Sequence, residues 1–185
     1  MQENIYFETI KCEDFEIFNL EYHNKRVANT IGLNINLQEY IYPPSEELLR
    51  CKIIYNDYEV LNVEYFPYKK REINSFKLVF DDNIDYSKKY LNRESLDKLF
   101  TQKDYCDEII IIKNKIVTDT SIANIAIFYE NMWITSKNYL LQGTTRDRLL
   151  EEKFLIEKDI KTRNPANCRI SCFKFNLFLF IDSLC

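Results

Sequence analysis

Gly143-Thr144-Thr145-Arg146 stands where helical spacing begins, and such a start can hold an anion. The first amides of a helix have no intrahelical partner and the helix dipole adds positive potential. A dianion is therefore favoured there, with the Thr145 hydroxyl as a further donor and Thr144 contributing its backbone amide. A plain threonine N-cap has the same sequence, so the motif needs its context. Arg26 follows His23 at helical spacing, and the two share a side. A guanidinium suits phosphate because it donates two parallel bonds, although an arginine on an amphipathic helix is by default a surface residue. His23 is expected to pack or orient and not to act as an acid or base. Lys88 and Lys89 offer an amine that can attack a carbonyl once burial makes it neutral part of the time. Adjacent residues of an extended segment face opposite sides, so only one of the pair can enter a site. Asp119, between Thr118 and Thr120, is by itself a turn-forming acid.

Hairpins with helices between them must position these groups. The opening predicts a strand over residues 5 to 11, a turn at Glu13-Asp14 and a return over residues 15 to 18. Asn19 is expected to cap a helix over residues 20 to 31 that Gly32 ends. Pro43-Pro44-Ser45 is expected to precede a short helix at residues 46 to 49, and strands follow over 50 to 55, 58 to 65 and 76 to 80. The polar stretch 67 to 74 lies between the last two and has no Gly or Ser run, which marks a tight crossover. Helical spacing returns over 92 to 102, then a hairpin over 108 to 118, a second over 124 to 135, a helix from Thr144 to Glu152 and a strand over 154 to 160. This is an α+β pattern.

A chain of 185 residues with 46% hydrophobic and 29% charged residues can bury a sizeable core. Its net charge of -4 gives no case for nucleic acid, which calls for a clustered basic face. Two Gly and four Pro beside 13 Tyr and 13 Phe argue for dense regular structure. The six cysteines (Cys12, Cys51, Cys106, Cys168, Cys172, Cys185) are scattered without a Cys-x-x-Cys pair, so reduced, partly buried thiols are expected. A single histidine leaves few ligands for a transition metal. The start is not a signal peptide, and the apolar tail, residues 173 to 184, is too short to span a bilayer and is interrupted by Lys174, Asn176 and Asp182. A cytoplasmic protein with no membrane partner is expected.

Taken in order, five pieces resemble the class IV aminotransferase family of pyridoxal-phosphate enzymes. They are Phe7-Glu8-Thr9, His23-x-x-Arg26, Lys89-Tyr90-Leu91-Asn92-Arg93, the Val-Thr-Asp-Thr-Ser-Ile-Ala-Asn run at residues 117 to 124, and Gln142-Gly143-Thr144-Thr145-Arg146. The likeness runs from about residue 5 to about residue 160. It implies a D-amino-acid aminotransferase-like fold of two small α/β domains with a cofactor cleft between them. Residues 1-73 would be a reduced N-terminal domain and 74-185 the cofactor-binding domain, in a homodimer whose partner helps to line the site. The implied cofactor is pyridoxal 5'-phosphate. Lys89 would form the imine, selected over Lys88 because it begins the Lys-x-Leu-Asn pattern, and Asp119 would hold the pyridine nitrogen where the family usually has a glutamate. Arg26 would clamp the phosphate from the first domain, with Thr144 and Thr145 in the phosphate cup; Thr144 takes a usually aliphatic place. The tail after Lys161 does not follow the family pattern, and Asn176 is the candidate there for a further phosphate-side or substrate-side residue.

Lys-x-Leu-Asn-Arg and Ala123-Asn124 resemble lyase versions of these motifs more than transaminase versions. The implied activity is that of a 4-amino-4-deoxychorismate lyase, which eliminates pyruvate to give 4-aminobenzoate for folate synthesis. One alternative is a branched-chain or D-amino-acid aminotransferase, which would need a carboxylate trap such as Arg50 or Arg71. The other is a catalytically silent relative that acts as a binding protein.

Overall fold

Strand β1 (Tyr6–Glu13) is buried on both faces along most of its length, because sheet neighbours, a helix and the second half of the chain all pack against it. The computed structural model describes residues 4–162 and 177–181. β1 lies between β2 (Glu16–Ile17) and β3 (Leu49–Tyr55), and β4 (Val60–Pro67) completes an antiparallel sheet of order β2-β1-β3-β4. Burial alternates along β3: Leu49, Cys51, Ile53 and Tyr55 face the core, while Arg50, Lys52 and Ile54 face the other way. Helix α1 (Leu20–Ile31) covers the core face through Val27, packed with Ile10 and Ile53, each fully buried and worth roughly 1.5–3 kcal/mol. Gly32, at φ 75, closes the helix by donating its N–H to Ala28 O.

The second half is built on β6 (Glu108–Lys113), whose run of four isoleucines is buried on both faces and lies parallel to β5 (Phe76–Phe80). Ile109 and Ile111 pack under α2 (Glu94–Phe100), and Ile110 and Ile112 pack on the opposite side with Val117 of β7 (Ile116–Val117). β8 (Ala123–Tyr129) and β9 (Met132–Ser136) form a hairpin; β10 (Leu155–Lys158) adds in parallel to β9 and β11 (Leu177–Ile181) antiparallel to β8. α3 (Thr144–Glu151) lies between β9 and β10 in the chain and meets α1, where Tyr22 Oη donates to Glu151 Oε2 at 2.8 Å. This is an α+β fold of three small sheets.

Three expectations are corrected. Residues 46 to 49 are not a helix: Glu46 O and Leu48 O accept from Asp14 and Tyr68, and Leu49 already pairs with Cys12 in the first sheet. The short helix of this region is a 3-10 turn at Leu37–Glu39, where the Asn36 side chain accepts from Gln38 N. Asn19 does not cap α1 with its side chain; at φ 56 that side chain turns away and donates to Thr145 Oγ1 at 3.3 Å. Reduced thiols hold for Cys12 and Cys51, both buried and free, but Cys106 is disulfide-bonded; spacing along the chain does not decide which thiols stay free. Cys168, Cys172, Cys185 and Asn176 lie outside the described residues. No helix among the described residues is long and apolar enough to cross a membrane.

Candidate active site

Residues 89 to 91 run along the edge of β1 that β2 leaves open: Phe7 N donates to Lys89 O at 3.0 Å and Leu91 N to Ile5 O at 2.8 Å. This pairing holds Lys89 and Lys88 to opposite sides, as an extended segment must. Lys89 is 2% exposed, with Nζ 5.0 Å from the Phe7 ring centroid. Lys88 points to α1 and donates to Thr30 O at 2.7 Å.

Lys89 lines a small cavity together with Asp119, Asn124, Leu140 and Leu141. Asp119 is 5% exposed, Oδ1 accepting from Asn124 Nδ2 at 2.7 Å and Oδ2 from Leu140 N at 2.8 Å and Leu141 N at 3.0 Å. Burial pushes its carboxyl up from 3.8 to about 6 against the lowering effect of these donors. The turn reading therefore describes only part of its environment, because the acid is fixed to a segment more than twenty residues away.

That segment continues directly into α3. Asn124 Nδ2 also donates to Leu141 O at 3.0 Å, Gln142 O accepts from Arg26 Nη1 at 2.9 Å, and Thr144 Oγ1 lies 3.4 Å from His23 Nε2. Residues 140 to 145 thus join Asp119 at one end to Arg26, His23 and the α3 start at the other. The remaining fork of Arg26 faces Glu8, with Nε 3.0 Å from Oε1 and Nη2 2.5 Å from Oε2, and His23 Nδ1 is 2.6 Å from the same Oε2. All three side chains are buried. Arg146 turns away from this start: it donates to Ser136 O at 3.0 Å and pairs with Glu157.

Burial alone would raise the Glu8 carboxyl, but the Arg26 charge and the hydrogen bonds from His23 and Arg26 outweigh it and bring the group from 4.5 to about 2. A carboxyl depressed in the folded state contributes stability above its unfolded pKa and loses it as pH falls through the folded value. The expected contribution is about 3 kcal/mol, lost between roughly pH 4.5 and 2. Glu8→Gln leaves Arg26 facing a neutral amide and is expected to cost about 3–5 kcal/mol at neutral pH and to flatten this acid limb. Urea unfolding across the pH range checks both; an unchanged limb in the variant would place the titration elsewhere.

The donor set fits pyridoxal 5'-phosphate. An amine at Lys89 and a carboxylate at Asp119 share one cavity, and the lining residue Asn124 carries a buried Oδ1 with no hydrogen-bond partner. The α3 start supplies the helix-terminal amides that favour an anion, and Arg26 lies beside it with its fork on Glu8, so a phosphate would meet it by taking Nη1 from Gln142 O. The cavity is closed to about 30 Å³, room for roughly one water, so a ring enters only as the Lys89 side chain or the 140 to 141 segment shifts. Glu8 and Asn124 were not singled out from the sequence; the Phe-Glu-Thr and Ala-Asn motifs that contain them were the available signals. Of the two arginines weighed as carboxylate traps, Arg50 lines a neighbouring recess, while Arg71 lies 3.9 Å from Glu108.

No family model matches the chain. An uncharacterized protein of Haemophilus influenzae is 36% identical over 173 residues, 87% of this chain and 91% of that protein. A solved structure from Haemophilus somnus, named as a candidate 4-amino-4-deoxychorismate lyase, is 34% identical, covers 100% of both chains and superimposes with a TM-score of 0.84. A hypothetical aminotransferase from Mycobacterium tuberculosis, in a form with alpha-ketoglutarate and PMP bound, shares the fold at 15% identity, with a TM-score of 0.70 over 86% of this chain and 72% of that one.

Proposed function

This chain belongs to the class IV aminotransferase family of enzymes, and we propose that within it the protein is a 4-amino-4-deoxychorismate lyase dependent on pyridoxal 5'-phosphate. The observation that carries the reading is the burial of Lys89 in one cavity with Asp119, joined through residues 140 to 145 to Arg26 and the α3 start. The name of the Haemophilus somnus relative supports it. In this assignment Lys89 would hold the cofactor covalently, Asp119 would serve its pyridine nitrogen, and Arg26 with the amides of Thr144 and Thr145 would hold its phosphate. The cofactor supplies an electron-withdrawing ring conjugated to the substrate amine.

Lys89 Nζ, freed as the substrate amine takes its place on the cofactor, would take the proton from the ring carbon that bears the amine. The bond from the ring to the enolpyruvyl oxygen breaks as the ring becomes aromatic, and a proton delivered to the leaving methylene gives pyruvate. One substrate thereby yields one 4-aminobenzoate and one pyruvate with no water or oxidant consumed. Glu8 and His23 orient Arg26 and Thr144, and Leu140 and Leu141 line the cavity beside Lys89. The same reading includes a first domain (residues 1-73), a cofactor domain (74-185), a homodimer, and a place in cytoplasmic folate synthesis.

Incubation of the purified protein and pyridoxal phosphate with 4-amino-4-deoxychorismate is expected to release 4-aminobenzoate and pyruvate in equal amounts. Exchange of amino groups between amino-acid and keto-acid pairs without 4-aminobenzoate would replace the lyase reading with a transaminase.

A further inference from the structure

Beside the cavity of Lys89 and Asp119 lies an open recess of about 260 Å³. The first sheet supplies one wall: Arg50 and Lys52, two apart on β3, face away from the core of α1 and line the recess with Phe7 and Thr9 of β1. The second half supplies Arg93 and Ile122, which also border the Lys89 cavity, so the two spaces meet at these side chains. The Phe7 ring is common ground as well, 5.0 Å from Lys89 Nζ and 5.9 Å from Lys52 Nζ.

The charges around this floor are not balanced. The Arg50 guanidinium lies 4.9 Å from the Phe66 ring, and its Nε is buried with no hydrogen-bond partner. Neither Arg50 nor Lys52 forms an ion pair among the described residues, although Glu64 stands opposite Lys52 in the β3–β4 register. Arg93 is fixed by donating to Ser121 O at 2.7 Å, and its ion pair with Asp97 is long at 3.8 Å, with that acid 69% exposed. An apolar floor ringed by a few fixed polar groups is the usual make-up of a small-molecule site. Three cations lining one such recess favour anions there, and a single carboxylate would meet only part of the set.

We propose that this recess receives both carboxylates of a ring amine, Arg93 at the end nearest Lys89 and Arg50 with Lys52 at the far end, so that the protein selects dianionic ring substrates over monoanionic ones. The inference rests on the Lys89 cavity being the reacting centre. The reaction assigned above fits it, since that substrate carries one carboxylate on the ring and another on the enolpyruvyl group.

The test is calorimetric titration of the full-length protein, with and without pyridoxal phosphate, using two unreactive probes of the same frame: 3-(carboxymethoxy)benzoate, a dianion, and 3-methoxybenzoate, a monoanion. The dianion is expected to bind about 10-fold tighter or more. In Arg50→Gln/Lys52→Met the dianion should weaken by about 10- to 100-fold while the monoanion changes little. Arg50→Lys keeps the charge and should retain most of the preference, which keeps the test decisive where the double variant does not fold. Equal affinity of the two probes, or a preference that survives in the folded double variant, overturns the proposal. Binding is read without turnover, so a dianion preference in a protein that makes no 4-aminobenzoate would keep this recess and refute the lyase reading, and the reverse result would do the opposite.

Discussion

Lys89→Ala is expected to abolish turnover and the visible absorption band of the cofactor-loaded protein while the fold persists. The amine is buried at 2% exposure in the cavity of Asp119, and among the described residues no second lysine lines that cavity. On the proposed assignment a single nucleophile would make the covalent attachment, and no described lysine of the cavity would replace it. The neighbouring variant is the control. Lys88→Ala removes one hydrogen bond to Thr30 O, worth about 0.5–1.5 kcal/mol, and should retain both band and turnover. The opposite pattern would move the anchor to Lys88.

Asp119→Asn has the second largest expected effect. A neutral amide stabilises a protonated pyridine nitrogen far less than a carboxylate does, so turnover is expected to fall on the order of 10²–10³-fold with the cofactor still bound. The variant also has a structural cost that can be anticipated. Asp119 accepts from Leu140 N, Leu141 N and Asn124 Nδ2, and an asparagine there would turn its own NH2 toward one of these donors. Reversal of the Asn124 amide would relieve the clash, since its Oδ1 has no partner, but Leu141 O would then lose its donor. A loss of about 1–3 kcal/mol in stability should accompany the kinetic effect, and rates must be referred to the folded fraction. Asp119→Glu restores the family's usual acid but adds a methylene to a cavity closed to about 30 Å³, so partial activity is expected with a modest overpacking cost. Wild-type turnover in Asp119→Asn would make the carboxylate a packing residue and remove the electron sink from the proposed site.

Local pattern was enough for the elements whose own residues decide them. The span of α1 from Leu20 to Ile31 follows from its periodicity and from Gly32, and β5 and the β8–β9 hairpin follow from apolar runs bounded by turns. Placement failed where distant contacts overrode propensity. Asn19 has the residue type of a cap, yet a partner 126 residues away takes its side chain. The chain after Pro43-Pro44 could start a helix, yet the core under α1 needs Leu49 in a strand. At the site, motif register singled out Lys89, which the fold buries in the cavity, and Asp119, which it buries beside it. The partners of these groups were less accessible: Glu8 meets Arg26 across 18 residues of sequence, and Arg50 and Arg93 line one recess because the edge of β1 pairs with residues 89 to 91. Spacing along a chain carries no record of such meetings.

The most direct measurement is reduction of the pyridoxal-phosphate-loaded protein with borohydride, followed by digestion and mass spectrometry of the peptides. A phosphopyridoxyl group on Lys89 alone, absent from the Lys89→Ala protein, is the predicted result. The same group on Lys88, or spread over several exposed lysines with none on Lys89, would contradict the assignment of this cavity as the catalytic centre.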